Sequence, residues 1–256
     1  MQGTDNMKST LYDGSFWTTH LERLIQSARV VVPVVTELVA PQSVVDIGCG
    51  IGAWLGAFSE SGVKVLKGLD GDYIDRNRLC FDASHFTAVD LQTSIEIPGQ
   101  YDLATCLEVV EHLPARKGVS LVSALTEAAP VVLFSAAIPG QGGVGHVNEQ
   151  WPEYWRRLFD AHGYRMLDPI RPRIREDKRV AWWYRQNLVL FAGKDWLESH
   201  PMLQPDADGT GDLDNDWVHA ELYRKLVTEP GVRELLVRLP SATRRAIARR
   251  LKRGRD

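Results

Sequence analysis

Cysteine is scarce. The chain of 256 residues has three, Cys49, Cys80 and Cys106. An odd number without CxxC spacing excludes a disulfide framework and a cysteine-type zinc ribbon, and suits reduced thiols in the cytoplasm. Long hydrophobic runs are missing too. The candidates at 30–35 and 131–138 fall short of the roughly 18 to 20 residues that span a bilayer, and Pro33 interrupts the first. Residues 1–17 are polar where a secretory leader needs an apolar stretch. The expectation is a cytoplasmic protein, neither exported by the usual route nor integral to a membrane. No internal repeat is visible. A large net charge is also lacking, with 30 basic against 33 acidic residues, or −3. That balance hides an asymmetry. Residues 233–256 hold nine Arg or Lys against Glu234 and Asp256, a surplus of seven, which leaves −10 on the remainder. A basic tail invites an anionic partner, such as a lipid surface, whereas the acidic body argues against nucleic acid.

What is present is an ordinary globular composition, 44% hydrophobic and 25% charged. Apolar runs alternate with helical patterns. Strands are expected at 43–47, 64–69, 85–89, 101–107, 131–136, 164–170 and 186–192. Helices are expected at 51–61, 73–80, 116–128 and 151–162. In the third of these, Val119, Val122, Leu125 and Ala129 would share a face. Gly163 stops the fourth. Strand–helix alternation predicts a mostly parallel sheet with helices on both faces. Residues 1–42 read as an N-terminal cap, helical over 17–39, followed by the main domain at 43–193. An Asp- and Gly-rich linker occupies 194–216, and a helical, basic extension 217–256, with helices at 217–227 and 241–252. The linker fails as an EF-hand, because the twelfth position counted from Asp206 is Trp217 rather than Glu.

The strongest local signal is the run Val44-Val45-Asp46-Ile47-Gly48-Cys49-Gly50-Ile51-Gly52. A strand ends, and glycines turn the chain into a helix whose N-terminus offers free N–H groups to a closely approaching ligand. Asp70 ends the next strand, where a carboxylate can accept from both ribose hydroxyls. Gly48-x-Gly50-x-x-Ala53 also fits a relaxed dinucleotide fingerprint. However, Asp46 would face a pyrophosphate, and no Tyr is followed four residues later by Lys. A carboxylate at Asp46 suits a ligand carrying an amino group. S-adenosylmethionine (SAM) is therefore favoured over a nicotinamide, and over a tight turn without ligand.

At these residues the sequence resembles class I SAM-dependent methyltransferases, over roughly residues 25–193. Val89-Asp90-Leu91 and Tyr101-Asp102-Leu103 match the family pattern as well. The resemblance implies a Rossmann-like, seven-stranded, mostly parallel sheet with a reversed last strand. It implies that Asp46, Gly48, Cys49, Gly50 and Gly52 hold the methionine end and Asp70 the ribose. Asp90 would take the adenine amine, with Leu91 packing nearby. Gly71 and Asp72 would flank the adenosine, and Leu107 is counted with the cofactor residues. The segments 134–143, 145–151 and 182–187 look like a bacterial subgroup that accompanies sugar and polysaccharide modification, an association rather than chemistry.

Beside the expected methyl-donor pocket comes Cys106-Leu107-Glu108-Val109-Val110-Glu111-His112. On a helical turn Glu108, Glu111 and His112 would face one way. With His146, from a glycine-rich loop, they could hold a divalent cation such as Mg²⁺. This set is similar to the metal sites of small-RNA 2′-O-methyltransferases and ubiquinone-pathway O-methyltransferases. Without metal, His146 or His112 would be the general base, with Glu111 beside it. Among the aromatics, Trp151, Tyr154 and Trp155 have helical spacing that suits a core, whereas Trp182, Trp183 and Tyr184 cannot all face one. Arg173, Arg175 and Arg185 could steer an anionic acceptor.

The expected function is O-methylation of a sugar hydroxyl on a glycan, glycolipid or glycosylated metabolite. A phenolic or natural-product acceptor, an RNA 2′-hydroxyl and a non-catalytic SAM-binding role are the alternatives.

Overall fold

We describe the protein from a computed structural model, over residues 15–93, 95–203 and 218–228. Residues 204–216 of the expected linker and the expected basic helix at 241–252 lie outside the described residues. The chain divides into two units, 1–217 and 218–256.

In the first unit the described residues begin with helix α1 (Ser15–Val39). Its Ala28, Val31, Val32, Val35 and Val39 recur at helical spacing and are all buried, which is why this stretch packs as part of the core. Pro33 lies on the exposed side. Strand β1 (Ser43–Ile47) leads through the glycine turn into α2 (Ala53–Glu60), then β2 (Val65–Asp70). The helix expected at 73–80 is not formed. Only a 3₁₀ turn, Arg76–Arg78, is present, capped by the Asp75 side chain accepting from Asn77 N–H. Asp favours such a local bond over a continuing helix. After β3 (Phe86–Ala88) and β4 (Leu103–Leu107) come α3 (Ala115–Ala128) and β5 (Val131–Ser135). Helix α3 buries Gly118, Leu121, Val122 and Leu125. Val119, expected on that face, is 43% exposed, because the buried stripe is set one residue round from the expected one.

Helix α4 (Pro152–Ala161), β6 (Tyr164–Leu167), α5 (Arg171–Ile174), α6 (Trp182–Asn187) and β7 (Val189–Gly193) complete the sheet. Gln186 and Asn187, expected to start the last strand, belong instead to α6. The expected linker begins as helix α7 (Lys194–Glu198), anchored by buried Leu197. The described part of the second unit is helix α8 (Ala220–Thr228).

The sheet order is β3-β2-β1-β4-β5-β7-β6. Only β7 runs against its neighbours, β5 and β6. One face of the sheet buries a core shared with α1 and α2, the other a core shared with α3 and α4. Strand order reverses between β1 and β4, and in such sheets ligands enter the crevice at the carboxyl ends of the strands at that reversal. No helix among the described residues is long and apolar enough to cross a membrane.

Candidate active site

The glycine turn after β1 is built for close approach. Gly48, Gly50 and Gly52 all take left-handed φ, between 55° and 75°, a region that side chains resist. A Cβ on Gly48 would lie 2.4 Å from Val109, so the turn packs against the residues after β4. At Gly50 a Cβ would meet nothing within 4 Å, leaving a cradle open beside the backbone. The N–H groups of Gly48 and Cys49 both donate to the Leu69 carbonyl, which ties the turn to β2. Cys49 itself is buried.

Asp46 is 2% exposed. Its Oδ1 accepts the Thr105 hydroxyl at 2.6 Å, while Oδ2 is buried without a hydrogen-bond partner. Burial pushes its carboxyl up to about 7. A buried carboxylate oxygen without a partner is costly, and a ligand ammonium group would satisfy it. Asp70, at the end of β2, accepts from Gly50 N–H through Oδ2, and from Gly71 N–H and the Tyr73 hydroxyl through Oδ1. Leu107 is buried at the end of β4. Asp90 follows β3, exposed, accepting Gln92 N–H in a turn, and Leu91 packs on the α3 side of the core. These positions lie at or just after the carboxyl ends of β1, β2, β3 and β4. Asp72 is exposed and pairs with Arg76, in the same short segment.

The residues after β4 differ from the expected helical turn. Glu108 has φ of 55°, rare for a residue with a side chain, and only Val110–His112 form a 3₁₀ turn. The left-handed residue breaks the i, i+3, i+4 register, so Glu108 turns onto other partners. Its Oε2 accepts Gln141 Nε2 at 2.8 Å and its Oε1 accepts Asn187 Nδ2 at 3.1 Å. Asn187 also donates to Gln141 Oε1. Burial raises the Glu108 carboxyl above its ordinary value, and these bonds oppose that rise.

The other three residues of the expected set do meet. Glu111, His112 and His146 offer ligand atoms within 4.8 Å of one another. Glu111 is fully buried. Its oxygens lie close to Glu108 and to backbone, but none in the geometry of a formed hydrogen bond. Burial, reinforced by Glu108, pushes its carboxyl up to about 9. Burial also lowers His112, and His146 adds to that effect. The two imidazoles meet edge to face, centroids 4.8 Å apart.

Glu149 was not anticipated from the sequence. Its Oε1 lies 2.9 Å from His146 Nδ1, and its two oxygens also accept Gly140 and Gly142 N–H. Such a bond fixes the tautomer and frees the other ring nitrogen for a proton or a metal. Val147 and Asn148 N–H donate to the Glu111 carbonyl, which folds the glycine-rich loop back over the turn. A carboxylate three residues after His146 was the available hint for Glu149. Gln141 and Asn187 reach Glu108 only through the fold.

Trp155 is buried against Phe134, and Tyr184 against Trp54. Trp151, 39% exposed, stands at the end of the loop. Arg173 pairs with Glu37, and buried Arg185 donates to the Arg175 carbonyl. Buried Arg171, not singled out from the sequence, pairs with Asp168.

The donor set suits SAM, and a divalent cation softer than the Mg²⁺ expected from the sequence. Asp46 Oδ2 and the space at Gly50 suit an amino acid carried on a nucleoside. One carboxylate and two imidazoles suit a borderline divalent cation. The reversed seventh strand, the left-handed glycine turn and the acidic ends of β1 and β2 define a class I SAM-dependent methyltransferase. The chain belongs to the family described as "Methyltransferase domain", which it matches over residues 17–168. It is similar to the "Ubiquinone biosynthesis O-methyltransferase" of Pseudomonas paraeruginosa, with 35% identity over 82 residues, covering 29% of this chain and 35% of that one. The same-named protein of Pseudomonas aeruginosa (strain LESB58) matches with 37% identity over 82 residues and the same coverage. The match thus spans about a third of the length of these curated relatives. The fold is also that of SAM-bound CalS10, an amino pentose methyltransferase from Micromonospora echinaspora. The TM-score is 0.51 at 16% identity, covering 71% of this chain and 97% of that one.

Proposed function

We propose that this methyltransferase transfers the methyl group to an oxygen, and that the acceptor is a sugar hydroxyl of a glycan, glycolipid or glycosylated metabolite. The observation that carries the oxygen chemistry is the Glu111–His112–His146 cluster, where a buried carboxylate lacks a hydrogen-bond partner beside two imidazoles. The exposed face of Trp151 supports a sugar, since an aromatic ring stacks on a pyranose. The similarity to the ubiquinone-pathway enzymes favours a phenol as the second reading.

On this reading Asp46 takes the amino group of SAM, Asp70 the ribose and Asp90 the adenine amine, with Leu91 packing nearby and Leu107 lining the cofactor site at the end of β4. Bound SAM supplies a methyl group on a sulfonium, a good leaving group. In a metal-free site His146, oriented by Glu149, takes the acceptor proton at its free ring nitrogen. Alternatively, Glu111, His112 and His146 would hold a divalent cation of the Mn²⁺ or Zn²⁺ class, with that nitrogen as a ligand, and the cation would polarise the acceptor oxygen. Glu108 holds the loop through Gln141 and stays outside the ligand set. Alignment of acceptor and methyl group supplies much of the rate. The basic segment at 233–256 would hold the enzyme near an anionic lipid surface.

The test is radiolabelled methyl transfer from SAM into separate pools of bacterial glycans and of catechols. Label in the glycan pool, lost in His146→Ala, supports the sugar reading. Label in the catechol pool alone overturns it in favour of the phenol.

A further inference from the structure

Asp70 accepts three hydrogen bonds from the chain itself. Oδ2 accepts Gly50 N–H at 2.7 Å, and Oδ1 accepts Gly71 N–H and the Tyr73 hydroxyl, both at 2.6 Å. The Tyr73 oxygen therefore stands where a ribose hydroxyl would bond to the same carboxylate. The ring lies along Gly71, so closely that a Cβ there would fall 2.0 Å from a ring carbon. Yet Tyr73 is 60% exposed. Its neighbour Ile74 is buried and anchors the segment, so the ring can turn toward solvent about its own side-chain bonds while the backbone stays in place.

We propose that Tyr73 is a built-in occupant of the ribose position. Its hydroxyl satisfies Asp70 in the free protein and is displaced when the nucleoside of SAM or S-adenosylhomocysteine binds. Binding then exchanges a tyrosine–carboxylate hydrogen bond for a ribose–carboxylate one. The cofactor site is thereby kept closed over its acidic group, and affinity is set below what Asp70 alone would give. The inference rests on reading Asp70 as the ribose acceptor.

Calorimetric titration of SAM and S-adenosylhomocysteine into wild type, Tyr73→Phe, Asp70→Ala and Asp70→Ala/Tyr73→Phe tests it. Tyr73→Phe keeps the ring and removes the competing hydroxyl. Because a hydrogen bond to a charged group is worth more than a neutral one, both ligands should bind about five- to tenfold tighter, and by the same factor. In the Asp70→Ala background the same change should do nothing. If Asp70→Ala weakens binding but Tyr73→Phe leaves it unchanged or weaker, the displaced-tyrosine mechanism fails and the ribose site stands. If Asp70→Ala leaves binding unchanged, the ribose reading fails and takes the inference with it. A melting curve of Tyr73→Phe without ligand confirms that the variant is folded.

Discussion

The two halves of the site are built differently. The cofactor half is assembled from short, contiguous stretches at the ends of β1 and β2. Apart from Asp46 Oδ2, the carboxylate oxygens there are bound by residues close in sequence or on a neighbouring strand. The acceptor half is assembled from far apart. Glu108 after β4, Gln141 in the glycine-rich loop and Asn187 at the end of α6 close one buried network. Contiguous halves tolerate change outside themselves, whereas a network drawn from three parts of the chain transmits it. The cofactor half should therefore govern SAM affinity, and the acceptor half turnover and loop order.

The sharpest way to break that division is His146→Ala. Loss of a positioned base should lower turnover about 10²- to 10³-fold, with the SAM dissociation constant unchanged by calorimetry. Should SAM binding collapse instead, the loop belongs to the cofactor half. Asp70→Ala should do the converse, weakening SAM by about 30- to 100-fold through loss of charge-assisted bonds, with little effect on turnover at saturation.

These two residues also mark what the sequence made legible. Asp70 and Asp46 follow strands that their apolar runs announce, and the glycines between have a local steric reason. The fold class and the seven strands were legible for the same reason, since buried strands are contiguous, whereas the reversed strand followed only from the family resemblance. The turn after β4 was expected to be helical from Glu108 on, and spacing alone does not reveal that Glu108 has a φ of 55°. Gln141 and Asn187 were missed because hydrogen bonds across 33 or 79 residues leave no local pattern, whereas Glu149, three residues after His146, left a local hint that was not taken. Residues 186–187 read as strand since they adjoin an apolar run, yet they close a helix that aims Asn187 inward.

A smaller effect sharpens the contrast within the acceptor half. Asn187→Leu removes both of its donations and leaves Glu108 under-satisfied, at a cost of about 1–3 kcal/mol. The melting temperature should fall and amides of residues 139–150 should exchange faster, while SAM affinity stays within about twofold of wild type, far less than one kcal/mol of coupling.

The smallest effect concerns pH. Asp46 is raised to about 7 in the free protein, chiefly by burial. Its protonated form is thus favoured by folding, and the stability it contributes declines as pH rises from about 4 to 7. Bound SAM would favour the ionised form. SAM affinity should accordingly rise with pH below 7 and level off above it, by at most about tenfold per unit. Calorimetry between pH 5.5 and 8.5 measures this, and Asp46→Asn should flatten the slope. A slope that survives the substitution would assign it to another group.

The most direct test of the whole account is calorimetric titration of SAM into metal-free protein, followed by Mn²⁺ or Zn²⁺, for wild type and Glu111→Gln. The account predicts a SAM heat common to both proteins and a separate cation heat that Glu111→Gln removes. Absence of a SAM heat in wild type, or a cation heat indifferent to Glu111, would contradict it.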